Sequence, residues 1–206
     1  MGNYTVVVID FETTGLSPNM GDRTIEVGAV VVHNNQIIDK FQSLMNPEIK
    51  ISGFIEGFTG ITNKMLSTAP RINEVMEKLK SFIGHHQLVA HNASFDLRFL
   101  DAELGRIKHK RKNEFTCSML TSRRIYPEAP NCKLETLVHY KKLKSNGVHH
   151  RALADAEMTA HLWIQLITDL KNSYGLSHVP FAFMQVLSKT PKNKILQLIE
   201  SYNNNS

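Results

Sequence analysis

The segment Thr5-Val6-Val7-Val8-Ile9-Asp10-Phe11-Glu12-Thr13-Thr14-Gly15 decides how the fold is read. Thr5 to Ile9 is an unbroken β-branched run, the composition of a strand covered on both faces. Asp10 and Glu12 follow it, and Thr13-Thr14-Gly15 predicts a turn. Residues two apart on an extended chain point the same way, so both carboxylates can face one point at the strand's C-terminal end. Open α/β sheets place their sites at that edge. Taken alone, the pair equally suits a loop after a strand, with one acid capping the turn.

Working outward, Ile25 to Val32 is a second strand-like run and Gln36 to Leu44 a third. Asn34-Asn35 between them predicts a tight turn, because Asn tolerates positive φ. These strands form an antiparallel meander. After Pro70 the period changes: Ile72, Val75, Met76, Leu79, Phe82 and Ile83 repeat at helical spacing. Gln87 to Ala90 reads as a short buried strand, Phe95 to Leu104 as a helix, and Phe115 to Ser118 as a weaker strand. Asn131 is a candidate cap for a helix carrying Leu134, Leu137 and Val138. A strong amphipathic helix covers Ala152 to Lys171. A meander followed by alternating helices and strands predicts a three-layer α/β domain over residues 1–171. Residues 172–206 are expected to form a helical appendage with a frayed end, docked on the domain, on a second copy or on a polymerase partner.

The 206 residues, 42% hydrophobic and 21% charged, are ordinary for a soluble globular protein. No apolar run approaches a membrane span, and Asp10 and Glu12 interrupt any signal-peptide pattern. Two cysteines, Cys117 and Cys132, provide neither a disulfide framework nor a cysteine zinc site, and an intracellular, cytoplasmic protein is expected. A net charge of +5 and a pI of about 9.2 lean toward a polyanionic partner. Lys108, Lys110, Arg111 and Lys112 form the densest basic run, either a phosphate-tracking surface or a solvated loop.

Two further acids stand at element junctions. Asp96 ends His91-Asn92-Ala93-Ser94-Phe95-Asp96, and Asp155 lies in the first turn of the long helix, after His149-His150. Acids suit helix N-termini on dipole grounds alone. Four carboxylates converging on one rim would nevertheless repel, at about 4 kcal/mol per pair at 4 Å and intermediate dielectric. Hard divalent cations relieve that repulsion, and oxygen ligands without sulfur suit Mg²⁺ or Mn²⁺. Two such ions can clamp the attacking and leaving oxygens of a phosphodiester, and a neutral histidine beside them can take a proton from water.

Asp10-Phe11-Glu12-Thr13-Thr14-Gly15, His91-Asn92-Ala93-Ser94-Phe95-Asp96 and His150-Arg151-Ala152-Leu153-Ala154-Asp155 resemble, in order, the three motifs of the DEDD exonuclease superfamily. Arg151 occupies the position where the tyrosine branch carries Tyr, so the chain resembles the DEDDh (DnaQ-like) 3′→5′ exonucleases, the family of bacterial proofreading subunits and their stand-alone relatives. The resemblance covers roughly residues 4–170. It implies an RNase H-like three-layer fold with a mixed sheet. It also implies that Asp10, Glu12, Asp96 and Asp155 hold two divalent cations, Mg²⁺ or Mn²⁺, with His150 rather than His149 as general base. By the same resemblance, Thr13 and Leu16 contact the terminal nucleotide and Leu16 wedges against its base. Phe58-Thr59-Gly60-Ile61-Thr62 resembles a segment of the family whose Ile packs on a base, and Asn92 and Phe95 shape the pocket floor. Thr59 stands where His is frequent, Cys117-Ser118 where Asp-Thr is frequent, and the tail holds no clear Gln-x-x-Leu-Phe clamp motif. The implied substrate is a single-stranded or frayed DNA 3′ end in proofreading or repair. RNA trimming and an inactive nucleic-acid-binding module are the alternatives.

Overall fold

The computed structural model describes residues 4–145 and 150–204. Its centre is β1 (Thr5–Thr13), flanked on one side by β2 (Thr24–His33) and then β3 (Gln36–Leu44), both antiparallel. Asn34 and Asn35 make the connecting turn with φ of 50° and 61°, as expected of a tight Asn turn. On the other side β4 (Gln87–Ala90) and β5 (Phe115–Cys117) continue the sheet in parallel. The order β3-β2-β1-β4-β5 is the mixed RNase H-like sheet expected from the sequence. One boundary differs: β1 does not stop at Ile9 but runs through both acids to Thr13, because β2 pairs with it along its whole length.

Alternation along β1 sorts its side chains into two layers. Val7, Ile9 and Phe11 face α3 (Ile72–Ile83) and α4 (Ala93–Arg106), with Val75, Met76, Leu79 and Leu100. Val6 and Val8 face α7 (Ala152–Tyr174), whose Leu162, Trp163 and Leu166 are fully buried. Short helices α1 (Gly53–Thr59) and α2 (Asn63–Ser67) close a satellite core of Ile25, Ile51, Ile61 and Leu66. Ser52 and Thr62 cap them, accepting from the Ile55 and Met65 amides. Helix α5 (Ser118–Ile125) begins directly after β5, at Ser118, where the sequence suggested continuing strand. In α6 (Leu134–Tyr140) the N-cap is Lys133, and Asn131 instead accepts the Lys133 amide two residues earlier. The basic run Lys108–Lys112 follows the far end of α4. The helix starts beside the acids and is 14 residues long, so the run is displaced from them by roughly 20 Å at ~1.5 Å per residue. Arg111 is there paired with Asp101 and lies over the Phe115 ring.

Beyond Lys171, α8 (Phe181–Lys189) and α9 (Ile195–Asn204) pack on the α7 side of the sheet. Leu176, Val179, Phe181, Phe183, Met184, Leu187, Ile195 and Ile199 are buried in the same core as Trp163. Gln185 Nε2 donates to the Phe115 carbonyl at 3.2 Å, so α8 also covers the outer edge of β5. Burying each large apolar side chain contributes about 1.5–3 kcal/mol, and domains hold only about 5–15 kcal/mol in total. Ending the chain after Lys171 is therefore expected to abolish a cooperative thermal transition and soluble expression. A 1–171 chain as stable as the full one would instead mark residues 172–206 as a separable appendage.

Candidate active site

The parity that sends Val6 and Val8 toward α7 sends Asp10 and Glu12 the same way. The first turn of α7 meets them there with Asp155, because β2 has a glycine at the point of closest approach. Gly28 pairs with Asp10 across the ladder, and a Cβ at Gly28 would lie 2.2 Å from Ala152 C and Leu153 N. Asp96, in the first turn of α4, reaches the same point from the opposite layer, its Oδ1 accepting the Phe11 amide at 3.2 Å. A carboxylate oxygen of Glu12, one of Asp155 and a ring nitrogen of His150 lie within 4.8 Å of one another. The His150 amide donates to Asp155 Oδ2 at 3.0 Å, and His150 has φ of 60°. His149, its rival as base, lies outside the described residues.

Burial dominates the electrostatics. Asp10 is held protonated well above the usual carboxylate range, first by burial and then by the charges of Asp96, Asp155, Glu12 and Glu26. Burial, reinforced by Asp155 and Glu26, pushes Glu12 up to about 8. Asp96 is likewise pushed up to about 8 by burial, despite accepting the Phe11 amide. Carboxylates this crowded favour a proton or a cation. An all-oxygen set with one adjacent imidazole fits a hard divalent ion.

Glu26 is a member of the site that spacing did not reveal. It pairs with Glu12 in the β1–β2 register and is fully buried. Arg151 grips it bidentately at 2.8 and 3.1 Å, Gln42 donates to it at 2.9 Å, and the Ala152 amide donates to it at 3.0 Å. Glu26 thereby satisfies the open N-terminus of α7, where Arg151 provides no side-chain cap. Phe58, to which the sequence assigned no role of its own, sets its ring against that of His150 with centroids 3.9 Å apart and planes tilted by 36°. His91 bridges Ser118 Oγ at 3.0 Å and the Cys132 carbonyl at 2.8 Å, and burial pushes its pKa down to about 4.

The expected substrate contacts divide. Asn92 has φ of 65° and lines the cleft of about 720 Å³ together with Asp10, Phe58, His150 and Asp155. Leu16 is 79% exposed on the loop after β1, and Phe95 is half-buried against Phe99. Thr13 is buried, its hydroxyl donating to the Gly15 carbonyl. Thr59 is buried with its hydroxyl donating to the Ile55 carbonyl, and Ile61 is enclosed in the satellite core, so neither offers surface to a base here. Phe58 is the exposed apolar side chain of that segment.

Two outcomes follow from this geometry. Gly28→Ala is expected to push the first turn of α7 away from Asp10, lowering the melting temperature by several degrees and activity at least tenfold, with kcat more affected than KM. An unchanged kcat would show that the close approach is unimportant. The raised carboxylates bind more protons folded than unfolded, so the stability they contribute is complete below about pH 4 and lost as pH rises through about 8. In chelator, thermal stability should fall between pH 5 and pH 9, and Mn²⁺ should restore it at the alkaline end. A flat profile would contradict the crowding.

The Exonuclease family model matches residues 7–163. The chain is 41% identical over 165 residues to the DNA polymerase III PolC-type of Caldanaerobacter subterraneus subsp. tengcongensis, covering 80% of this chain and 12% of that protein. It is 41% identical over 179 residues to the DNA polymerase III PolC-type of Staphylococcus aureus, covering 84% and 12%. The chain thus spans about an eighth of the length of these relatives. Exonuclease X, solved in complex with 5′ overhanging duplex DNA, matches with a TM-score of 0.70 at 29% identity over 89% of this chain and 99% of that one. The nuclease domain of 3′hExo, a DEDDh family member bound to rAMP, shares the fold with a TM-score of 0.68 at 22% identity, covering 80% and 92%. A family model that takes in most of the chain, and relatives this similar, establish that it belongs to the exonuclease family, among the DEDDh-type (DnaQ-like) 3′→5′ exonucleases that hydrolyse phosphodiester bonds.

Proposed function

We propose that the chain removes nucleotides one at a time from single-stranded or frayed DNA 3′ ends, releasing nucleoside 5′-monophosphates. The observation that carries this reading is the convergence at one end of β1 of buried Glu12 and Asp96 and half-buried Asp10 and Asp155, with His150 exposed beside them. Asp10, Glu12, Asp96 and Asp155 would hold two divalent cations, Mg²⁺ or Mn²⁺. Such ions supply charge stabilisation at the phosphoryl oxygens and acidify a bound water. His150 accepts the proton of the attacking water, its backbone tied to Asp155 and its ring laid on Phe58. Leu16 presents an apolar edge to the terminal base, with Thr13, Asn92 and Phe95 around the terminal nucleotide. A pocket for one end favours unpaired termini over paired ones.

DNA is favoured over RNA by the relatives: PolC-type DNA polymerases contain a segment like this chain, and Exonuclease X was solved with DNA. The PolC-type relatives also support association with a polymerase, and the free Cys117 and Cys132 accord with a reducing cytoplasm. No helix among the described residues is long and apolar enough to cross a membrane.

Cleavage of matched DNA and RNA oligomers, with and without chelator, tests the reading. Asp10→Ala is expected to abolish hydrolysis without loss of folding stability, since it removes repulsion. His150→Ala should reduce kcat by roughly 10²–10⁴-fold with metal binding kept, and His149→Ala should cost far less. Faster cleavage of RNA would move the substrate assignment, whereas an active Asp10→Ala protein or cutting of a circular strand would overturn the mechanism.

A further inference from the structure

The cleft that holds Asp10, His150 and Asp155 does not end at the acids. Its far wall is built by Met119 and Arg123 of α5, by Cys132 and Lys133 ahead of α6, and by Glu135 in the first turn of α6. A second hollow of about 300 Å³ shares Arg123 and Cys132 with the cleft and is closed by Lys192, from the turn between α8 and α9. The two hollows make one groove leading from the carboxylates to the C-terminal segment.

The charge along this groove is uncompensated. Arg123, Lys133 and Lys192 are exposed, and none makes an ion pair with a described residue. Many of the protein's other cations are matched: Arg23 and Arg106 meet Glu103, Arg111 meets Asp101, Lys141 meets Asp169, and Arg151 meets Glu26. Among the described residues, Glu135 is the one acid lining the groove outside the catalytic set. The walls are also braced. His91 ties the Cys132 carbonyl to the end of β4, and Arg124 Nε donates to the Thr190 carbonyl at 3.1 Å, fixing on α5 the turn that carries Lys192. Unpaired cations on a braced wall, opening from a phosphodiesterase site, match a linear polyanion whose end lies at the acids. The exposed apolar side chains Leu16, Phe54 and Phe58 belong to the loop after β1 and to α1, and suit bases rather than phosphates.

We propose that Arg123, Lys133 and Lys192 hold the sugar-phosphate backbone of the single strand upstream of the scissile bond, which makes the C-terminal segment part of the substrate-binding surface. This rests on the exonuclease reading above. The test compares the full chain with the triple variant Arg123→Gln, Lys133→Gln, Lys192→Gln and with the control Lys108→Gln, Lys110→Gln, Lys112→Gln at the opposite end of α4. Fluorescence anisotropy of a labelled oligothymidylate, in chelator and between about 50 and 200 mM salt, reads binding without turnover. The groove variant should bind roughly tenfold more weakly. Its plot of log K against log salt should flatten by about 2, from ~0.7 per cation removed, with the control unchanged. With Mn²⁺, the KM for the long strand should rise in the groove variant. Its kcat, and its hydrolysis of a nitrophenyl ester of thymidine 5′-monophosphate, should not change. An unchanged affinity and salt slope in the groove variant, or an equal loss in the control, would overturn the proposal. If the unmutated chain binds the strand with the expected slope change on mutation but hydrolyses neither substrate, the groove stands and the enzymatic reading fails.

Discussion

Four carboxylates, two buried and two half-buried, held on one rim at the end of β1 are the constraint around which the molecule is arranged. Burial alone raises the proton affinity of Asp10, Glu12 and Asp96, and their mutual charge raises that of Asp10 and Glu12 further. No fold places such groups together for stability, since a buried like-charge cluster costs free energy until a cation or proton enters. The surrounding contacts keep the cluster from relaxing. Each acid sits on a regular element whose apolar residues are locked in the core, so moving a carboxylate away would mean moving a strand or a helix.

Asp155 and His150 come from the start of α7 and the residues just before it, as Asp96 comes from the start of α4, so their placement depends on how α7 docks on the sheet. Gly28 lets the α7 backbone touch β2, and Glu26 takes the Ala152 amide while binding Arg151 with two hydrogen bonds. A buried carboxylate with a bidentate guanidinium and two further donors is among the stronger polar arrangements available to a protein. It fixes the first turn of α7 in position and in rotation. It also places a positive charge near Glu12, where that charge offsets part of the repulsion.

The C-terminal segment serves the same architecture from the other side. By burying Phe181, Met184 and Leu187 against the α7 layer and covering the β5 edge through Gln185, it completes a sheet that is narrow and would otherwise end in an open strand. Its turn is held on α5 by Arg124, which brings a lysine of the segment to the hollow that adjoins the catalytic cleft. Stability and substrate approach are thus joined in one stretch of chain.

By itself the sequence determined the elements and the chemistry. The β-branched run before Asp10, the Asn34-Asn35 turn and the helical period after Pro70 are local patterns, and the structure follows them. The three acidic motifs could be recognised because each lies within a few residues of one junction. What depended on distant residues was decided by tertiary structure alone. Glu26 reads as an ordinary strand residue until the register sets it beside Glu12 and the crossover of α7 brings Arg151 125 residues later onto it. Ile61 could have faced a base or the core, and the satellite cluster with Ile25 and Ile51 enclosed it while leaving Phe58 outside against His150. The basic run at Lys108 to Lys112 outweighs Arg123, Lys133 and Lys192 when charge is counted along the chain. A helix carries the first set away from the acids, and packing gathers the second beside them, because charge density in space depends on how elements dock and not on their order in sequence.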